Sequence, residues 1–479
     1  VTVTGGAKQA IGGARTSTLT FENCKLSTDS TYDRTDDGLF FFTGDSKTTL
    51  NMTNCVISVD AKGQWGKSGE PAVFKSFKQE ADITVNLNNV RMDVTNLSNA
   101  NIKGFDLNGA SQLNITGGSK IKIPGNGIIN IKNVSIKDST VESTNVYALY
   151  IINRAYAVNI TLEGDAVVNG AKRALNVINN TNAVSLTAKG NSEIRSAAGE
   201  GNAIYVCGHD DNASFTLTMM DNSKLLSSGN VISFANGGNP IKKATICFLD
   251  RVTIQAEKGY LLDSHERPVT YILSDKATIS VTDEEPIKNT TKGRLITSTV
   301  YAPVMKKGAS IRTVEGSKGI RFTSTMKKVT DTDAVKLTAT YGTLIVKAAD
   351  LEGKEFTIDA LTKAGVKFAD IKATEAGTVA GENETTYNAA LVNLPDDQLD
   401  TNFAARAYAV YTINGVEHYV YSDFNATDNC RSMSQIASRA QADTRPTKSA
   451  AYPNEIAAGV YSPYTKSQYA VISEYVKKN

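Results

Sequence analysis

The 479-residue chain is poor in the side chains that usually announce chemistry: it has one Trp, three His and five Cys. The cysteines Cys24, Cys55, Cys207, Cys247 and Cys430 are too few for a disulfide framework, and no two stand at Cys-x-x-Cys spacing, which argues against a zinc site. Charge of one sign is missing too, with 51 Lys and Arg against 49 Asp and Glu, so no field favours nucleic acid or an anionic membrane surface. No apolar run reaches the roughly eighteen residues of a membrane span, so no membrane insertion is expected. Only ten Pro occur, and long amphipathic helical patterns are absent from the first 300 residues. The chain opens on Val1 in an alternating VTVTGG, which reads as a processed or trimmed chain entering a strand.

Thr, Asn, Ser and Val are abundant, a bias toward strands and Asn-rich turns. These residues are ordered. FENCKLS at Phe21 returns as MTNCVIS at Met52, and aligning similar segments gives ten rows: LTFEN (Leu19), LNMTN (Leu50), VNLNN (Val85), LNITG (Leu113), VSIKD (Val134), ITLEG (Ile160), LTAKG (Leu186), LTMMD (Leu217), ICFLD (Ile246) and YILSD (Tyr271). Successive rows are roughly 21 to 35 residues apart, a solenoid period. The first and third columns are apolar in every row, which is strand alternation with one buried face. The fifth column is always Asn, Asp or Gly, the residues that tolerate a left-handed backbone, so each strand is expected to end in a sharp corner.

After each corner a second strand-like piece follows, such as CKLSTD, CVISVD, SKIKI, SEIRS and SKLLS. Nine intervals then carry a third: GLFFFTG, PAVFKSF, IKGFDLN, GIINIKN, YALYIIN, RALNVIN, NAIYVCG, NVISFAN and YLLDSHE. Three strands per repeat with no intervening helix predict an all-β fold, a right-handed three-sided parallel β-helix of about ten turns over residues 1–300. Stacked Cys24 and Cys55 would have Cα atoms about 5 Å apart, which allows either a disulfide or a reduced packed pair.

The texture changes near residue 300. KGIRFTST, YGTLIVKA, YNAALVNL, FAARAYAVYTI and EHYVYSD read as strands, with Asn414-Gly415 closing a hairpin between the last two. They predict an antiparallel β-sandwich over 305–440. CRSMSQIASRA reads as a short helix, and 441–479 as a linker and a C-terminal helix opened by a capping box of Thr465 and Gln468.

The series GIRFTST, YGTLIV, YNAALVNL, FAARAYAVYT, VYSD and RSMSQIA resembles an uncharacterised β-rich module of large secreted and surface proteins of clostridia and ruminococci. That resemblance implies an extracellular or cell-surface location in a bacterium. The first 300 residues resemble the pectate-lyase-like right-handed parallel β-helix proteins in architecture, and a shared fold does not assign a function.

One group of side chains is a candidate for chemistry. His209, Asp210 and Asp211 follow the third strand of the seventh row, and Asp263, His265 and Glu266 follow that of the ninth. Two turns would separate them by roughly 9 to 10 Å, a carboxylate spacing that suits an inverting glycosidase. The same oxygens would suit calcium. Polar residues also collect in solenoid turns simply because turns are exposed. Two further features bear on binding. The second column (Thr20, Asn51, Asn86, Asn114, Ser135, Thr161, Thr187, Thr218, Cys247, Ile272) points outward as a small, uncharged strip, and Trp65, Tyr147, Tyr150 and Tyr156 lie in or near third strands, where rings stack on sugars or pack between strands. The sequence therefore predicts a non-enzymatic extracellular structural or adhesive protein that self-associates into a homo-oligomer, filament or lattice. The alternatives are a polysaccharide lyase or glycoside hydrolase, or a glycan-binding module.

Overall fold

The computed structural model describes residues 2–5, 11–14, 16–28, 38–43, 47–60, 71–76, 82–95, 102–107, 111–152, 156–197, 201–208, 213–235, 241, 243–265, 267–282, 287–288, 295–314, 316–327, 339–373, 377–378, 384–441 and 466–476. The chain divides into two compact units, Val1–Thr299 and Val300–Asn479.

The first unit is a parallel β-solenoid built of three sheets, each of eleven strands stacked in chain order. The first sheet holds the ten rows, from Ser17–Glu22 to Val269–Ser274, and ends in Leu295–Val300. The second carries the strands that follow the corners, such as Lys25–Thr28 and Val56–Asp60, and the third carries strands such as Gly38–Thr43, Tyr147–Ile151 and Leu262–Asp263.

The described turns lie in register with one another, apart from a shift between Val177 and Asn180 in the third sheet. In the first sheet Leu19, Leu50, Val85, Leu113, Val134, Ile160, Leu186, Leu217, Ile246 and Tyr271 are successive Cα partners, and the third-column residues from Phe21 to Leu273 form a second such line. Both lines face the solenoid core, which the third sheet fills from the other side. There Phe40, Phe74 and Phe105 stack on consecutive turns with centroids 4.6 and 4.7 Å apart and ring planes within 9°. Parallel stacking of equivalent residues thus turns an apolar column into a continuous core, each aromatic pair adding about 0.5–1.5 kcal/mol beyond area burial.

The corners behave as the fifth column predicts. Asn23, Asn54, Asn89, Asp138, Asp221 and Asp250 have φ between 49° and 93°, and Gly117, Gly164 and Gly190 lie between 62° and 73°. Asp275 is the exception among the ten: it is absent from the positive-φ residues, and Lys276 N–H instead donates to Ser274 Oγ. A left-handed backbone costs a residue with a Cβ about 1–2 kcal/mol, and Asn recovers part of it through its side chain. Asn54 Nδ2 donates to Asn23 Oδ1 at 3.3 Å and Asn89 Nδ2 to Asn54 Oδ1 at 2.8 Å, a ladder across three turns. A second ladder runs along the second column, with Asn86 Nδ2 donating to Asn51 Oδ1 at 2.8 Å and Asn114 Nδ2 to Asn86 Oδ1 at 2.7 Å.

That outward strip does not keep one character. It is half-buried to exposed from Thr20 to Thr187, whereas Thr218, Cys247 and Ile272 are buried at 4 %, 1 % and 0 % exposure, so its last three rows present no flat polar surface. Burial pushes the Cys247 thiol up to about 12. Cys24 and Cys55 are free thiols, not a disulfide: each Sγ donates to a carbonyl two residues back, Glu22 O and Thr53 O, and Cys55 Sγ also reaches Phe21 O.

The second unit holds two antiparallel five-stranded sheets that form the β-sandwich. The strands read from sequence are present as Gly319–Lys327, Ala339–Lys347, Glu384–Val392, Phe403–Ile413 and Val416–Tyr421. Asn414 and Gly415, with φ of 51° and 80°, make the two-residue turn between the last two, as a type I′ hairpin requires. Gly342 faces Tyr408 across the sheet, and a Cβ there would meet Tyr408 Oη at 2.2 Å, so only glycine leaves room for the ring. The Tyr408 hydroxyl donates to Asp370 Oδ1 and accepts from Lys372 Nζ, both at 2.5 Å; burial and the neighbouring carboxylate hold its pKa well above the usual tyrosine value. Ser432 and Gln435 cap helix Met433–Gln441 reciprocally, Gln435 N–H donating to Ser432 Oγ and Ser432 N–H to Gln435 Oε1. A further helix spans Lys466–Tyr475; Thr465 lies outside the described residues.

The corner geometry makes a quantitative claim. Asn54→Ala should lower the unfolding free energy of the solenoid by about 1–3 kcal/mol, combining left-handed strain with two lost ladder bonds, whereas Asn54→Gly should cost clearly less. Urea unfolding of the two variants side by side checks the order, and equal losses would mean that the backbone conformation at the corner is not what Asn supplies.

Candidate functional site

The third sheet has an outward-facing column of unusual content. Beside the inward line Phe74, Phe105, Ile128, Leu149, Leu175, Ile204, Ile232 and Leu262 runs a second line of Cα partners: Lys75, Asp106, Ile129, Tyr150, Asn176, Tyr205, Ser233, Asp263 and Lys288. Because side chains alternate along a strand, shifting one residue from the core line selects the outer face. Strict alternation would turn residues three positions earlier to the opposite face, yet four i,i+3 pairs are in contact, Lys103–Asp106, Tyr147–Tyr150, Arg173–Asn176 and Asn230–Ser233. In the first three the ladder skips the intervening Gly104, Ala148 and Ala174.

The first pair is a buried ion pair. Lys103 Nζ lies 3.0 Å from Asp106 Oδ2, with side-chain exposures of 9 % and 12 %. Two turns along, Tyr147 and Tyr150 stand with centroids 5.6 Å apart. Arg173, on the next turn, places its guanidinium 5.5 Å from the Tyr147 centroid and 4.0 Å from that of Tyr205, so the cation sits between rings contributed by the turns on either side. Its Nη1 donates to Asn176 Oδ1, and Asn176 is 2 % exposed. Burial raises the Tyr205 hydroxyl above its ordinary value, with the nearby Cys207 adding to the rise and Arg173 opposing it.

At the far end of the column stands the described part of the sequence-predicted cluster. Asp263 closes its strand with 7 % exposure, and its Oδ2 lies 3.2 Å from His265 Nε2. His265 has φ 43°, a left-handed conformation that brings the ring back over the carboxylate two residues earlier. Ser264 between them is 1 % exposed, and Arg267 Nη2 donates to Ala235 O at 3.2 Å. A buried carboxylate against an imidazole can orient that ring, one local requirement of general acid–base work. His209, Asp210, Asp211 and Glu266 lie outside the described residues, as does Trp65. Among the described residues no group of three His, Cys, Asp or Glu side chains is placed to hold a metal ion. Tyr156 serves the fold, its hydroxyl donating to Asn130 O.

Sequence reading marked Tyr147 and Tyr150 but passed over Lys103, Asp106, Arg173, Asn176 and Tyr205. The signal was present in the third-strand pieces KGFD, YALY and RALN, each of which carries a polar or aromatic residue in first and fourth place around two small or apolar residues.

The buried ion pair is open to measurement. Asp106→Asn removes the Asp106 charge from beside the buried Lys103 ammonium and should destabilise the solenoid by about 3 kcal/mol, while the double change Lys103→Met with Asp106→Leu should cost clearly less. Chemical denaturation of the two variants checks the contrast; similar losses in both would mean that the pair contributes packing and little electrostatics. In the comparisons with known proteins, no family model, no curated protein and no solved structure matches this chain.

Proposed function

We propose that this chain is a non-enzymatic structural or adhesive element of an extracellular or cell-surface protein, in which the solenoid is the scaffold and its faces support self-association. The observation that carries the reading is the chain-order stacking of three parallel eleven-stranded sheets, reinforced on the outside by side-chain ladders that run from turn to turn. Stacking of this kind makes a stiff object with long faces. In this reading the coil is right-handed with about ten complete turns, and the residues after 441 form a helical tail. The likeness of the sandwich sequence to surface-protein modules supports the location. Electron microscopy of the native protein tests the assembly: filaments or sheets are expected, and dispersed single particles across a wide concentration range would sink self-association.

A second reading rests on one observation, the buried Asp263 carboxylate held against His265. It makes the same column the site of a polysaccharide lyase or glycoside hydrolase. Asp263→Ala should then abolish release of reducing ends or unsaturated products from any glycan that the native protein cleaves, and an unchanged rate would dispose of the site.

A further inference from the structure

We infer that the outer face of the third sheet, centred on Arg173 between Tyr147 and Tyr205, binds a saccharide carrying an anionic group on its ring. The inference deepens the adhesive half of the scaffold reading and does not depend on self-association.

Three observations converge on it. The first is charge: among the described residues Arg173 has no carboxylate at ion-pair distance, its contacts being the two tyrosine rings and Asn176 Oδ1. The donation to Asn176 engages one of its five N–H groups, so the fork keeps donors for a planar two-oxygen acceptor. The second is rigidity. Asn176 is buried, and rings from the preceding and following turns flank the guanidinium, so the cation is positioned in advance and little ordering is needed when an anion arrives. The third is the aromatic content. Tyr147, Tyr150 and Tyr205 are half-buried, so part of each side chain reaches solvent, where an aromatic ring can meet the apolar C–H surface of a pyranose. Beyond Tyr205 the column continues with Ser233, a small side chain that is itself buried and accepts from Asn230 Nδ2.

The number of charges selects the ligand class. One fixed guanidinium matches one carboxylate or sulfate ester, whereas a nucleotide or polyphosphate calls for several cations converging on its phosphates. The turn spacing sets the footprint. Tyr147 and Tyr205 belong to turns two apart, about 9–10 Å along the stack, so successive rings of one chain laid parallel to the solenoid axis would meet them in turn. Tyr150 lies beside Tyr147 and widens the platform.

The test uses the full chain in its dispersed fraction and three probes: a hyaluronan tetrasaccharide, which alternates glucuronate with N-acetylglucosamine; neutral chitotetraose; and sodium acetate as the bare anion. Saturation-transfer NMR and calorimetric titration should show the acidic tetrasaccharide binding at least tenfold more tightly than either of the others. Arg173→Gln should weaken it about tenfold or more, Arg173→Lys should recover part of the loss, and Tyr205→Leu should weaken both saccharides while leaving the thermal midpoint near that of the native protein. Equal binding of chitotetraose would overturn the assignment to an anionic group, and acetate binding as tightly as the tetrasaccharide would overturn the saccharide platform. No binding of any probe at millimolar concentration, or unchanged binding in Arg173→Gln, would overturn the site. Should Arg173→Gln fail to fold, Arg173→Lys decides the anion contact and Tyr205→Leu the platform, and unchanged binding in either would overturn the site. Filaments seen by microscopy with no saccharide binding would leave the scaffold reading standing and remove this inference alone.

Discussion

The parallel, in-register hydrogen bonding between one turn and the next governs the rest of the solenoid. It sets each residue directly against its equivalent in the neighbouring turns, so a requirement at one position becomes a requirement on a column. A line of aliphatic residues becomes a core, three phenylalanines become a stack, and three asparagines become a ladder. The same constraint explains the corners. A left-handed residue costs free energy once per turn, and the chain offsets this with residues that either lack a Cβ or hydrogen-bond to the corner above.

The outward faces are under looser control, because nothing packs there by the solenoid's own geometry. On the first sheet that freedom is taken up by Asn and Thr side chains that bond along the stack. On the third sheet it is taken up by an ion pair, a tyrosine-flanked arginine and a carboxylate–imidazole pair, all on one line of partners. Charged and aromatic groups held this firmly cost more to arrange than the small polar residues that would serve solubility alone. Ion pairs occur on the other faces too, among them Arg91–Asp93 and Arg195–Glu193, but the third face adds tyrosine rings and a buried carboxylate to them, and it is where binding or chemistry is to be sought.

Much of the fold was legible because the repeat leaves a signature at two levels. Apolar alternation located the ten rows, and the ladder pairs them residue for residue as the alignment placed them, from Leu19 to Tyr271. The corner column was legible through a single physical property, tolerance of positive φ, and it failed only at Asp275, where a neighbouring serine turns the chain instead. The outward strip was misjudged at Thr218, Cys247 and Ile272, because an alternating pattern states which way a residue points and not what else covers it. In the sandwich, the strands and the Asn414-Gly415 turn were evident, while helix Ile358–Lys363 and strand Phe368–Lys372 were not: six helical residues show too little periodicity, and FADIK has little strand preference. The site was the least legible part. Arg173 and Tyr205 come from turns 32 residues apart by number, and only the register reveals that they touch.

The corners also bear on how such a molecule changes over generations. Consecutive corner residues are separated by 21 residues between Gly117 and Asp138 but by 35 between Asn54 and Asn89, yet the paired strands stay in step. The difference is absorbed entirely by the connections, so a turn is a complete unit that meets its neighbours only through repeated contacts. Gene duplication or loss of one such unit would lengthen or shorten the stack by about 4.8 Å while leaving every remaining interface of the same kind. Length in this architecture is therefore a heritable quantity that can change in whole steps, independently of whatever the loops and the third face have been selected to do.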